Sequence, residues 1–454
     1  SDVCSSDLRM TLSDFPGDVA REVFRQRRES IRSLLNDGVM LLPSAPTLYR
    51  SRDTQHRYRS DNELYYSTGI TEPGALALIR GNKDPHFVLF VADPNKSTEL
   101  WTGPMIGAEI AKDQFGADEC YMMSELPDLL PGLIEGADCI HYRARVNDGL
   151  EFYVKQALEN ARLKGARRGS GPRAVVDPGG ILDELRLKKE DCEIEWLRMA
   201  AQVTVAGHRA AAAIISPGVG EWTVEATLEQ AFRSSAGSTV AFPTIVGSGS
   251  NGCVLHYTAN DKLIDQDDLV LVDAGAEVGF YNGDVTRTYP ANGYFTPAQR
   301  DVYEVVLASF ESAIDKVRPG EPVTALHDAV TRVIVEGLRD LRVLRGSVDG
   351  LLEKKAYQPY YPHQTSHWLG LDVHDPGDYA SAGTARVLEP GMVFTIEPGL
   401  YFRPAIAESV AENLSGIAIR IEDDVLVTED GCEILSCGLP TSTAEIEELV
   451  GLSK

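Results

Sequence analysis

The chain has 454 residues, which at roughly 150 per domain predicts two or three domains and a core that needs no disulfide staples. With 43 Lys and Arg against 68 Asp and Glu, the net charge of −25 repels phosphate backbones and anionic lipid headgroups. Neither nucleic acid nor a membrane is therefore expected as a partner. Seven dispersed cysteines without a CxxC pair argue against a disulfide framework and a cysteine-ligated zinc, and they fit a reducing, cytoplasmic compartment.

No apolar run approaches the roughly 18–20 residues that span a bilayer. The opening SDVCSSDLRM has neither the basic start nor the apolar stretch of a signal peptide, so residues 1–9 are expected to be a non-native extension ahead of Met10. Residues 20–36 then place Val23, Phe24, Ile31, Leu34 and Leu35 at helical spacing. β-rich runs follow at 39–42, 75–79, 86–91 and 139–143, with helical stretches near 105–114 and 148–163. This alternation predicts an α/β N-terminal domain over 10–176. The Gly-rich, basic LKGARRGSGPR (163–173) reads as a linker or exposed loop, so the second domain is expected over 177–454.

That second part opens with a helix over Glu193–Ile215, stopped by Pro217-Gly218. Further helices are expected at 222–235, 298–317 and 323–341. Strand runs are LVLVDA (269–274), VGFY (278–281), MVFTIEP (392–398) and GIAIRIEDDVLVT (416–428), an α+β pattern. Gly247-Ser-Gly249-Ser-Asn-Gly252 matches GxGxxG, but a dinucleotide site needs a helix to start at those glycines. The β-branched and aromatic CVLHYT that follows predicts a glycine turn instead.

Chemistry gathers in acids and histidines at strand ends. Asp273 ends LVLVDAG, and Asp284 follows eleven residues later across a glycine-containing hairpin. Glu397 precedes Pro398-Gly399. Glu422 alternates with Ile417, Ile419 and Ile421, so it faces the same side as Arg420. Converging carboxylates repel by about 4 kcal/mol per pair at 4 Å and an effective dielectric of 20. A cation among them removes that penalty. Four carboxylates and one imidazole nearly neutralise two divalent ions, and hard oxygen donors with one nitrogen suit Mn, Co, Fe or Zn.

SHWLGLDVHDPG, VDAGAE…GDVTRTYP, TIEPGLYF, RIEDD and IVGSGSNGCVLHYTAND together resemble the aminopeptidase P (Xaa-Pro aminopeptidase) branch of the pita-bread metallopeptidases. The resemblance extends from about residue 20, through SDNELYYSTGITEPGALAL, to the C-terminal part. It implies a C-terminal pita-bread domain with a smaller N-terminal α/β domain, and two divalent ions per chain, Mn2+ foremost. Asp273, Asp284, His367, Glu397 and Glu422 would be the ligands, with Asp284 and Glu422 bridging. Glu397 would also shuttle the proton, and His256 and His374 would stabilise the oxyanion. His363, Tyr401 and Arg420 would stand around the proline pocket and in the layer just behind it. Glu63 would face the substrate amine, with Asp61 two residues away, and Trp101 would reach a neighbouring subunit of a homodimer or homotetramer. The implied substrates are peptides beginning Xaa-Pro.

His86, His141, His208 and His327 sit in no motif and read as surface or core residues. Trp368 and Leu369 read as core, and Asp423 as a solvated acid on the strand face opposite Glu422. Two other readings share these motifs: a prolidase, cleaving Xaa-Pro dipeptides, and a catalytically dead pita-bread domain used for binding.

Overall fold

The computed structural model describes residues 17–144, 148–165, 171–235, 238–405 and 412–451. The expected extension at 1–9, residues 166–170 of the expected linker and residues 406–411 lie outside the described residues. The chain divides into two compact units, Ser13–Leu185 and, principally, Arg186–Lys454. That division falls later than residue 176. The reason is local: Ala174–Val176 is an edge strand of the first unit's sheet, and the helix after it is tied back when the Tyr66 hydroxyl donates to the Leu185 carbonyl at 3.3 Å.

The first unit is built on a six-stranded mixed sheet. Its order is Glu119–Met122, Phe87–Val91, Leu76–Arg80, Val39–Pro43, Cys139–His141 and Ala174–Val176. The inner strands VMLLP, LALIR and FVLFV are buried along their whole length, as continuous apolar runs covered on both faces must be. The helix Gly17–Leu35 buries Ile31 and Leu35 as expected, whereas Leu34, one position round the helix, is half exposed and not part of that face. The short helix Asn62–Thr68 starts where Asp61 Oδ1 accepts from the Glu63 and Leu64 amides, an N-cap that supplies two otherwise orphaned donors with an acceptor.

The second unit mixes helices with small sheets. Asp191–Ile214 packs on Glu221–Ser234, and Pro297–Ile314 on Thr324–Asp340. Thr296 and Gln299 cap the third of these reciprocally, with Pro297 in the first turn. Phe232, Val270, Val272, Tyr303, Phe310, Trp368 and Phe394 belong to one buried core. The expected helices stand within a few residues of their predicted ends.

Two expected strands are broken. VGFY splits into Ala276–Val278 and Tyr281–Asn282, a hairpin turning through Gly279 and Phe280 at φ +58° and +73°. GIAIRIEDDVLVT splits into Ala418–Arg420 and Asp423–Val427, which pair in different sheets. Between them the chain leaves both ladders: the Ile421 amide donates to the Pro398 carbonyl and the Glu422 amide to the Thr286 carbonyl.

Candidate active site

The strand Leu269–Ala274 runs antiparallel to Val285–Pro290, with Asp273 opposite Thr286 and Ala274 opposite Val285. The chain between them must close tightly to bring Asp284 back beside Asp273. Gly275 permits this, since a Cβ there would sit 1.7 Å from the Gly283 carbonyl oxygen. Asp284 is fixed further by Asp424, whose buried carboxylate accepts the Asp284 amide at 3.1 and 3.2 Å. Asp424 went unremarked in the sequence, where it is one acid among three.

Glu422 arrives from the break in the second strand, and Thr286 donates its hydroxyl to Glu422 Oε2 at 2.6 Å. Glu397 follows Val393–Ile396, its amide donating to the Thr365 carbonyl at 2.8 Å. His367 is held by the Thr395 hydroxyl, which accepts its amide, and its ring Nδ1 lies 3.1 Å from the Trp368 carbonyl. With the Nδ1–H given to that carbonyl, Nε2 is the nitrogen that would offer its lone pair to a metal ion once its own proton is lost. Nε2 points at the acids, 3.4 Å from Asp284 Oδ2 and 3.7 Å from Glu397 Oε1.

All five residues line one cavity of about 1120 Å3 in the second unit, together with His256, His363 and His374. Asp284, His367 and Glu422 each offer a donor atom within 4.8 Å of the others. Asp273 Oδ1 is buried and makes no hydrogen bond. Burial raises Asp273 to about 6, against the pull of Arg420, and raises Glu397 to about 7. Burial and the neighbouring acids push Glu422 well above the usual carboxylate range. Burial opposes a charged His367, yet the Asp284 hydrogen bond and Glu397 carry it up to about 9. A buried group of acids with an orphaned oxygen and one imidazole lone pair fits a divalent-metal centre, which would replace this repulsion by attraction.

The surrounding residues sort themselves by hydrogen bonding. Arg420 forks to Asp273, Tyr401 and Thr286. Tyr401 lies 2.9 Å from His363 Nε2, and His363 Nδ1 lies 2.8 Å from the Gln364 carbonyl. Burial, with Arg420 nearby, lowers His363 to about 3, so it is neutral. The Tyr401 hydroxyl is engaged by His363 and Arg420 and does not line the cavity, so it stands behind His363, within the placing expected of it around the pocket and just behind it. His374 packs its ring on His367 at 4.3 Å, and burial lowers its pKa. His256 is exposed on the loop beyond the 3-10 turn Gly249–Cys253, so the glycine motif opens no dinucleotide-binding helix.

Two further expectations change. Asp423 is not solvated: it is buried and takes both oxygens to Arg287 Nη2 at 2.9 Å. His327 is not a bland residue, because it lines the cavity. Its only sequence neighbours of note are core leucines and valines of an amphipathic helix, so no local signal marked it. Glu63 and Trp101 belong to the other unit. There the Glu63 carboxylate is gripped by Arg143 at 2.6 and 3.0 Å, and Trp101 is 84% exposed.

Residues 195–429 match the metallopeptidase family M24, and residues 24–141 match the aminopeptidase P N-terminal domain. The chain is 38% identical to the Xaa-Pro aminopeptidase of Escherichia coli (strain K12), covering 95% of this chain and 98% of that one. The structure of Pseudomonas aeruginosa aminopeptidase PepP superposes with a TM-score of 0.91 at 39% identity, over 95% of this chain and 98% of that one. Zinc-substituted E. coli aminopeptidase P in complex with product gives a TM-score of 0.91 at 38% identity, over 96% and 99%.

Proposed function

The chain belongs to metallopeptidase family M24, and on that premise we propose that its site releases the N-terminal residue from peptides whose second residue is proline. The observation that carries this reading is the convergence of Asp273, Asp284, His367, Glu397 and Glu422 on one cavity floor. These five would hold two divalent ions, Mn2+ first, with Co2+, Zn2+ or Fe2+ as substitutes. When bound, the ions polarise the scissile carbonyl and lower the pKa of water.

The chain's own groups do the rest. Glu397 takes the proton from the attacking water and hands it to the departing proline nitrogen, a transfer that needs a carboxylate within reach of both atoms. His256 and His374 aim N–H groups at the oxygen that gains charge. Proline has no amide hydrogen and a fixed φ, so the pocket must recognise ring shape rather than a backbone donor. Phe242, Pro243, Ile245, Leu255 and Val373 give the cavity apolar wall. Trp101 supports assembly as a homodimer or homotetramer. None of the described helices is long and apolar enough to cross a membrane.

A kinetic panel tests the reading. With added Mn2+, Xaa-Pro-Yaa should be cleaved after Xaa, and Xaa-Ala-Yaa at least about tenfold less efficiently, the change expected of about 1.4 kcal/mol in transition-state binding. Equal rates on both would remove proline from the proposal.

A further inference from the structure

We propose that His327 is a substrate-contacting residue whose Nε2–H holds a backbone carbonyl oxygen of the peptide on the departing, C-terminal side of the scissile bond. This rests on the Xaa-Pro aminopeptidase reading. His327 stands in the first turns of the helix Thr324–Asp340, half-buried, on the wall of the same cavity as Glu397 and His363. Its Nδ1 lies 2.9 Å from Thr365 Oγ1, and Thr365 Oγ1 lies 2.8 Å from the Tyr361 hydroxyl.

Proton placement along this chain has one solution that leaves no buried donor stranded. Tyr361 is buried, and Thr365 is its one hydrogen-bond partner among the described residues, so its O–H must donate to Thr365 Oγ1. Thr365 then gives its own single proton to His327 Nδ1. A neutral imidazole that accepts at Nδ1 carries its hydrogen on Nε2. Burial, which disfavours a charged ring, agrees with the neutral form. Nε2 has no partner among the described residues and is not one of the buried orphans, so a fixed N–H donor faces accessible cavity space.

The side of the cavity follows from Thr365 and Tyr361. The Thr365 carbonyl accepts the amide of Glu397, and the ring of Tyr361 meets that of His363 at 4.8 Å. His363 Nδ1 is in turn 3.5 Å from Glu397 Oε2. His327 thus belongs to the Glu397 side, where the proton is delivered to the leaving nitrogen. The peptide that continues beyond proline offers carbonyl oxygens there. A neutral N–H suits a carbonyl; a free carboxylate would call for a cation.

The test compares wild type, His327→Leu and His327→Gln on the tripeptide Ala-Pro-Ala with added Mn2+. Gln can present an amide N–H close to where Nε2 stands. Losing one substrate hydrogen bond should raise KM about tenfold in His327→Leu, with kcat within about twofold of wild type. His327→Gln should bring KM back to within about threefold. An unchanged KM in His327→Leu, or a fall in kcat that Gln does not rescue, would overturn the proposal. If the wild type itself cleaves no Xaa-Pro peptide, the underlying activity fails and this inference falls with it. Normal wild-type turnover with a flat KM defeats this inference alone.

Discussion

Arg420 Nη2 lies 2.5 Å from Asp273 Oδ2, with both residues buried on the wall of the cavity. The same guanidinium donates through Nη1 to the Tyr401 hydroxyl and through Nε to Thr286 Oγ1. One side chain therefore orients the carboxylate of Asp273, the hydroxyl that aligns His363, and the hydroxyl that aligns Glu422. Arg420→Ala strands a buried carboxylate and should cost about 3–5 kcal/mol in urea unfolding. Arg420→Lys should recover little, because a single ammonium cannot serve three directions at once. Wild-type stability in the lysine variant would show that charge alone suffices.

His367→Ala and Glu397→Gln should both abolish turnover, for different reasons. The first deletes the only imidazole in the donor set, so elemental analysis should find clearly fewer metal ions than the two per chain expected of the wild type. The second keeps an oxygen donor but removes the group that carries the proton, so metal should fall less than activity. Full activity in His367→Ala at trace metal would end the dinuclear reading.

Of the five proposed donors, Asp273 and Glu397 stand out as acids ending β-rich runs and Asp284 as an acid following glycine, whereas His367 and Glu422 are marked only by the resemblance of SHWLGLDVHDPG and RIEDD. Their convergence was legible only in part. The hairpin joining Asp273 to Asp284 could be read from its glycines, whereas the break at Ile421-Glu422 could not, since perfect alternation of Ile417, Ile419 and Ile421 looks like one strand. What breaks it is a long-range amide bond to Thr286. Asp423 misled for a related reason. Its partner Arg287 is 136 residues away, and no local rule tells a buried ion pair from a solvated acid. His327 failed in the same way, being placed on the cavity by packing of its helix and not by its neighbours.

His208 predicts a specific acid lability. It is buried, its ring nitrogens 3.4 Å from the Ala274 carbonyl and the Tyr289 hydroxyl, and burial lowers its pKa to about 3. An unfolded histidine titrates near 6.5, so between about pH 6.5 and pH 3 the unfolded chain binds the extra proton. Stability from this group is thus complete above pH 6.5 and is lost as pH falls, by about 2 kcal/mol at pH 5. His208→Gln, which cannot titrate, should flatten the dependence of urea-unfolding stability on pH over that window. A slope identical to wild type would exclude His208 as its source.

Leu100 and Trp101 stand 82% and 84% exposed on the short helix Lys96–Thr102. Two adjacent large apolar side chains left in water are costly for an isolated chain, and such residues gather at interfaces. Sedimentation velocity at micromolar concentration should therefore give a dimer or tetramer. Trp101→Ala should shift it toward smaller species. A monomeric wild type would dispose of the idea.

The choice between aminopeptidase and dipeptidase turns on what meets the far end of the substrate, because both chemistries use the same five donors. A dipeptidase must hold the carboxylate of proline, and a permanent cation is the ordinary means. Only 24 residues separate Glu397 from Glu422, and Arg403 is the sole basic residue among them before Arg420. Arg403 is exposed, lies 3.4 Å from the Pro359 carbonyl and does not line the cavity. Arg420 does line it, but its three donor nitrogens are committed to Asp273, Tyr401 and Thr286. His363 is held neutral by burial. Among the described residues the cavity thus has no uncommitted arginine or lysine to clamp a carboxylate. Tripeptides and longer Xaa-Pro-Yaa peptides should therefore be cleaved at least as efficiently as Xaa-Pro dipeptides. A kcat/KM advantage of about tenfold or more for the dipeptide, worth about 1.4 kcal/mol in transition-state binding, would reverse the assignment in favour of a prolidase.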